Sequence, residues 1–339
     1  MNILITGGAG FIGVNSAYYF ANKGHEVTIF DNLSRKGSSK NLEWIQSQYN
    51  IIFCQGDLRK FIDLVDVFSN HGKFDLILHL AAQVAVTTSV TNPHEDFEIN
   101  ALGTFNLLEA TRRYNSDAAL IYASTNKVYG EMEDLDIIER NGRYMYGKLN
   151  EGVDENRNLD FHSPYGCSKG AADQYCRDYH RIYGLKTIVL RQSCIYGYRQ
   201  FGIEDQGWVA WFCIAAALGK PITIYGDGKQ IRDVLFIDDL IKAFELAYQN
   251  SEKAAGQIFN IGGGPQNTMS LHELLGYLEE QQGAAIPVGY DNWRPGDQKV
   301  FVGNISKAQK VLGWQPTVNP VQGVEKLYQW VSANTDLFS

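Results

Sequence analysis

The chain has 339 residues, of which 45% are hydrophobic and 20% charged, and a formal net charge of −8. This composition is that of a folded globular protein and excludes a disordered or fibrous chain. The acidic balance argues against a nucleic-acid partner, which would favour a basic face.

The length suits one large domain or two that share a cleft. Five cysteines (Cys54, Cys167, Cys176, Cys194 and Cys213) show no paired or metal-ligand spacing, so reduced thiols and no metal site are expected. The longest apolar stretch, Trp208 to Leu218, is well short of the ~20 residues of a spanning helix, so no membrane partner is expected. The opening MNILITGG lacks the pattern of a signal peptide, and a cytoplasmic protein is expected.

Short apolar runs alternate with helical stretches from the start. NILIT (2–6) ends in Gly-Gly and leads into a helical stretch from Phe11 to Lys23. HEVTIF ends at Asp31, and IIFCQ, DLILHL, AALIYAS and TIVLRQ begin at Ile51, Asp75, Ala118 and Thr187. A helix is expected over Asn100–Tyr114, where apolar positions recur at helical spacing. Glu131–Leu159 is polar and reads as an insertion near the cleft. Beyond Arg191 the pattern loosens into Gly197–Gly207 loops, the short strands PITIYG and RDVLF, and helices at Asp238–Tyr248, Ser270–Glu280 and Val321–Trp330. The expected fold is α/β: a Rossmann-like, doubly wound parallel sheet over 1–191, with a smaller C-terminal substrate-binding α/β lobe over 192–339 from which some segments return to the large domain.

The first strand runs into Gly7-Gly8-Ala9-Gly10-Phe11-Ile12-Gly13. Glycines let such a turn approach a pyrophosphate, and the amides opening the helix at Phe11 and Ile12 hold its charge. Asp31, at the end of the second strand, is placed to accept from the adenosine ribose hydroxyls, which favours NAD over NADP. Asn32, Ser34 and Arg35 follow it, and an arginine there keeps NADP open. Asp57-Leu58 follows the third strand, and Leu80-Ala81-Ala82-Gln83 the fourth, on the same side. His79 lies within an apolar strand and reads as a structural histidine.

The fifth strand ends in Ser124-Thr125, and Tyr165-Gly166-Cys167-Ser168-Lys169 follows later. Tyr165 and Lys169 lie one helical turn apart on one face. A phenol has an ordinary pKa of about 10 and is a poor base at neutral pH. A nearby ammonium and a cationic nicotinamide would both favour the phenolate. Tyr165 would then take a proton from a sugar hydroxyl while hydrogen leaves the same carbon as hydride.

GGAGFIG, Asp31, HLAA, Asn100-Ala101-Leu102-Gly103-Thr104, STNKVYG, YGCSK, IYGDGKQIRDVLFIDD and RPGDQ together resemble the extended short-chain dehydrogenases/reductases, in their NAD-dependent nucleotide-sugar epimerase/dehydratase group. The resemblance covers nearly the whole chain. It implies Thr125, Tyr165 and Lys169 as the catalytic set. It adds Asn100, Ser124, Gln192 and Ser193 around the cofactor. It lines the sugar pocket with Val86, Thr87, Thr125, Asn126 and Cys194. Gln206, Gly207 and Trp208 would flank the phosphates and sugar, Thr223 and Tyr225 the base, and Arg232 and Arg294 the diphosphate. Helices near 100–114 and 165–184 would pair in a homodimer or homotetramer.

Dehydratases of this group carry Asp-Glu after Ser-Thr, whereas this chain has Asn126-Lys127, which disfavours dehydration. Three stretches, starting at Asp31, Leu159 and Tyr198, resemble the branch that epimerises CDP-paratose and CDP-tyvelose at C2. A UDP-sugar 4-epimerase is the alternative, with a reductase, a dehydratase or a non-catalytic NAD-binding regulator behind it.

Overall fold

The computed structural model describes residues 1–294 and 296–338. Seven strands form the main sheet: β1 (Asn2–Thr6), β2 (Glu26–Asp31), β3 (Ile52–Gln55), β4 (Leu76–His79), β5 (Ala119–Thr125), β6 (Lys186–Gln192) and β7 (Ile258–Ile261). Their spatial order is β7-β6-β5-β4-β1-β2-β3, and every pairing is parallel. The order reverses between β1 and β4, the point where ligands bind such sheets at the strand carboxyl ends. The central strands are nearly continuous apolar runs because helices cover both faces; Ile3, Leu4, Ile5, Ile77 and Leu78 have no exposed surface.

The β7 strand lies beyond residue 192 yet completes this sheet, and the helix Ile237–Gln249 packs beside Phe11–Asn22 and β5. The substrate side is built from small pieces. Ile222–Tyr225 pairs with Val288–Asp291, and Ile231–Asp233 is flanked by Thr268–Ser270 and Val300–Phe301. The RDVLF run, read as one strand, is divided. Ile231–Asp233 and Leu235–Phe236 belong to different sheets, and the Val234 amide between them donates to the Asn267 carbonyl. The 131–159 insertion contains a hairpin, Ile137–Arg140 with Arg143–Tyr146, and its Tyr146 and Val153 share a core with Ile231 and Phe301. The helix expected from Asn100 begins as a π-helical turn, Glu98–Leu102, and becomes α-helical at Gly103–Tyr114.

The Tyr198–Gln206 segment is bracketed against the helix Ser38–Gln48 and the helix Pro320–Ala333. The Arg199 guanidinium lies 3.8 Å from the Trp44 ring centroid and 5.9 Å from that of Trp330. Phe201 meets Phe338 at 5.4 Å between centroids. Asn15 Nδ2 donates to the Tyr198 carbonyl at 2.8 Å.

His79 is fully enclosed at the end of β4. Its Nδ1 pairs with Thr6 Oγ1 and its Nε2 with Thr104 Oγ1, both at 2.8 Å, as a structural histidine requires. Burial pushes its pKa down to about 3. An unfolded imidazole takes its proton near 6.5. The stability contributed by neutral His79 is therefore complete above that pH and is lost as pH falls toward 3. Urea unfolding from about pH 6 downward should show a loss approaching 1.4 kcal/mol per pH unit from this group, and His79→Gln should flatten that slope.

Candidate active site

The glycine turn sits at the reversal point and leaves no room for side chains. Gly7 has φ of 68°, and a Cβ there would lie 2.6 Å from the Ala81 amide nitrogen. A Cβ on Gly13 would lie 2.3 Å from the Gly7 carbonyl oxygen. The turn, the loop after β4 and the helix Phe11–Asn22 are thus in backbone contact. A cleft opens there, lined by Gly7, Gly10, Phe11, Ile12, Leu80, Ala81 and Ala82 on one side. Asp31, Asn32, Ser34, Arg35, Asp57 and Leu58 line its far end, and Arg199 to Ile203 with Gln206 close it from above. The Arg35 guanidinium donates to Gln206 Oε1 across the opening.

Asp31 is held by the Ala9 amide at 3.0 Å and the Leu33 amide at 2.8 Å. Burial raises its pKa, while these amides and Arg35 oppose the shift. Asp57 is engaged differently. Arg59 grips its carboxylate from Nε at 3.0 Å and Nη2 at 2.6 Å, and Asn32 Nδ2 adds a bond at 3.1 Å. The Arg59 bond leads in holding the Asp57 pKa down to about 2.

Tyr165 and Lys169 project from the helix Ser163–Tyr183 toward the end of β5 and are 8% and 3% exposed. The Thr125 hydroxyl donates to Asn126 Oδ1 at 3.3 Å and accepts from the Lys127 amide at 3.2 Å. Burial pushes the Tyr165 phenol up to about 12; Thr125 and Arg35 pull it down, and Asp96 pushes it further up. Lys169 Nζ donates to the Ala123 carbonyl at 2.7 Å and stands 4.3 Å from the Tyr122 ring centroid. Burial lowers its pKa to about 8. The ammonium thus faces a carbonyl and a ring, and the pull on the phenol expected of it does not appear among the influences on Tyr165.

Several expected cofactor residues spend their polar groups inside the protein. Ser124 Oγ donates to Asp173 at 2.7 Å, which is itself gripped by Arg191 in a buried ion pair. Ser193 Oγ donates to Asp233 Oδ1. Asn100 Oδ1 accepts from the Gln83 amide at 2.9 Å, and its Nδ2 reaches the Gln83 carbonyl, Asp96 and Ser168. Asp96 also accepts from Ser168 Oγ at 2.5 Å and Gln83 Nε2 at 2.9 Å. This network ties the loop after β4 to the Tyr165 helix. It was not legible in the sequence, since Asp96 and Ser168 are separated by 72 positions. Gln192 Nε2, by contrast, is buried without a partner among the described residues.

On the substrate side, Cys194 holds φ of 39°, and its sulfur accepts from Trp208 Nε1 at 2.8 Å. Trp208 opens the helix Trp208–Ala217, which Gly207 caps in the left-handed conformation. Arg294 lies 3.5 Å from the Tyr225 ring centroid and pairs with Asp205 at 3.1 Å. Thr223 shares Tyr225's strand, Ile222–Tyr225. Arg232 donates to the Ile231 carbonyl at 2.8 Å. Val86 and Thr87 open the short helix Val86–Thr91, and Val86 approaches Gly296. Asn126 is buried directly after Thr125. Of six non-glycine residues with positive φ among those described, Leu33, Ser163, Cys194 and Arg199 border this cleft or its helix. Such outliers persist only where the surroundings impose them, and they gather at functional sites.

The family model for NAD dependent epimerases/dehydratases matches residues 3–262. The chain belongs to this family. It is 48% identical over 340 residues to the CDP-paratose 2-epimerase of Salmonella typhi, with 98% of this chain and all of that protein covered. The crystal structure of UDP-glucose 4-epimerase from Thermotoga maritima, with UDP-glucose, is similar with a TM-score of 0.84 and 32% identity over 98% of this chain and 99% of that one. UDP-glucuronic acid 4-epimerase from Bacillus cereus, with UDP-glucuronic acid and NAD, gives a TM-score of 0.84 and 28% identity, again over 98% and 99%. The family's NAD fits the residues present. The glycine turn admits no side chain, Asp31 closes β2, and Gln192 offers an unpartnered buried amide.

Gly13→Ala should break the cradle by overpacking, at a cost of about 1–3 kcal/mol. The variant should melt lower and lose most of its copurifying dinucleotide, measured after heat extraction.

Proposed function

We propose that this protein is an NAD-dependent nucleotide-sugar epimerase that interconverts CDP-paratose and CDP-tyvelose at C2. Near-full-length identity of 48% to a CDP-paratose 2-epimerase carries the choice of substrate and carbon. Buried Tyr165 and Lys169, one helical turn apart beside the strand that ends in Thr125, support the chemistry. Asn126 and Lys127 supply no carboxylic acid–base pair, which speaks against expulsion of water from the sugar.

When bound, NAD supplies the hydride acceptor and, oxidised, a positive charge that favours the phenolate. Tyr165 Oη takes the C2 hydroxyl proton and returns it to the ketone oxygen once the sugar presents its other face. Thr125 orients the same hydroxyl. Lys169, fixed by Ala123 and the Tyr122 ring, holds cationic charge one helical turn away. Burial of Tyr165 and Lys169 keeps water from the keto sugar between the two transfers.

A UDP-sugar 4-epimerase is the second reading, favoured by likeness to the UDP-glucose 4-epimerase structure. Incubation with CDP-paratose, CDP-tyvelose and UDP-glucose, followed by NMR of the products, separates the two. In deuterated water the epimerised carbon should keep its own hydrogen; deuterium there would overturn direct hydride return. Tyr165→Phe should lower turnover at least ~10²-fold with NAD still bound.

We also propose a homodimer formed through the helices Gly103–Tyr114 and Ser163–Tyr183. Phe105, Tyr175, Ile182 and Tyr183 are exposed on this face, and the rings of Phe105 and Tyr175 touch at 5.7 Å. The free cysteines suit the cytoplasm proposed for it. Light scattering should give a dimer or larger assembly, and Phe105→Asp with Tyr175→Asp should give a monomer.

A further inference from the structure

A second lysine follows the end of β5. Lys127 is half-buried on the 3₁₀ turn Asn126–Tyr129, two residues after Thr125. Its Nζ donates to the Gly296 carbonyl at 3.0 Å and to Gln298 Oε1 at 3.5 Å. An ammonium has three donors, so one remains for a ligand. Arg232 is also half-buried, and it forms no carboxylate ion pair among the described residues; its hydrogen bond goes to the neighbouring Ile231 carbonyl. Val128 and Ile231, the chain neighbours of Lys127 and Arg232, share one apolar cluster, and the two positive charges oppose each other, with Asp297 and Glu131 acting the other way. Two like charges held together out of bulk water are unfavourable until an anion joins them.

Geometry says which anion. If C2 is oxidised, the carbon at Tyr165 is bonded to the anomeric carbon, and the phosphate on that carbon falls on the near side of the ring. If C4 is oxidised, the phosphate lies across the ring, away from the Thr125 turn. A cation two residues beyond Thr125 is therefore placed for a C2 enzyme.

We propose that Lys127, acting with Arg232, holds the phosphate borne on the anomeric carbon and thereby presents C2 to Tyr165. Lys127 is a positioning residue in this account, which rests on the 2-epimerase reading.

The test is calorimetric binding of CDP and CMP to the NAD-loaded protein, with wild type, Lys127→Gln and Lys127→Arg. CMP lacks the phosphate in question. Loss of a charge-assisted bond should weaken CDP binding about tenfold or more in Lys127→Gln, with CMP little changed and Lys127→Arg restoring most of the difference. With substrate, Lys127→Gln should raise KM far more than it lowers kcat. Burial and Arg232 bring the Lys127 pKa down to about 8. The ammonium is present below that pH and lost above it, so the wild-type preference for CDP over CMP should fade as pH rises past 8 and persist in Lys127→Arg. An unchanged preference in Lys127→Gln, or equal loss of both nucleotides, overturns the proposal. Should Lys127→Gln fail to fold, a wild-type preference that stays constant across that pH range overturns it as well. UDP and UMP are run in parallel, so that wild type decides the base and the variants decide the role of Lys127.

Discussion

The site depends on backbone meeting backbone at the reversal point of the sheet. Gly7, Gly13 and Ala81 approach so closely that a single added Cβ would displace main chain. That contact brings the amino end of the first helix, the carboxyl end of β1 and the loop after β4 to one place. Every other feature of the cleft is hung from these three: Asp31 reaches back to the Ala9 amide, and the loop after β4 reaches forward through Gln83, Asp96 and Ser168 to the helix that carries Tyr165. Hydrogen bonds thus tie the loop after β4 to the helix that carries Tyr165, while the same loop lies in backbone contact with the glycine cradle.

Burial acts on Tyr165 and Lys169 in opposite directions, raising the phenol and lowering the ammonium, because it disfavours the charged form of each. The pair is therefore nearer to neutral than either group would be in water. Proton transfer between a sugar hydroxyl and the phenol then needs charge supplied from outside the pair.

The parts of the site that the sequence revealed are local ones. A strand ending in glycines, an acid at the next strand end and a Tyr/Lys pair one turn apart each lie within a few consecutive residues, so spacing alone exposes them. The parts it concealed depend on contacts between distant positions. Asn100 and Ser124 were assigned toward the cofactor, yet their polar groups meet Gln83 and Asp173. Asp57 was placed among the cofactor residues, but its carboxylate is gripped by Arg59, two residues away, a pairing that local spacing permits without requiring. Lys127 was read only for what it is not, a carboxylate; its contact with Gly296 spans 169 positions. The division of RDVLF between two sheets likewise rests on the Asn267 carbonyl, which no pattern within those five residues discloses.

The stacking of Arg199 between Trp44 and Trp330 has a consequence for turnover bookkeeping. Arg199 lines the dinucleotide cleft, while its two flanking rings belong to elements at opposite ends of the chain. Opening the cleft wide enough to release a dinucleotide means pulling that guanidinium out from between two indoles and parting Phe201 from Phe338. Such a bracket would favour a nucleotide that stays in place between turnovers over one that exchanges with each. A hydride borrowed and returned at such a site would be insulated from the surrounding nicotinamide redox ratio.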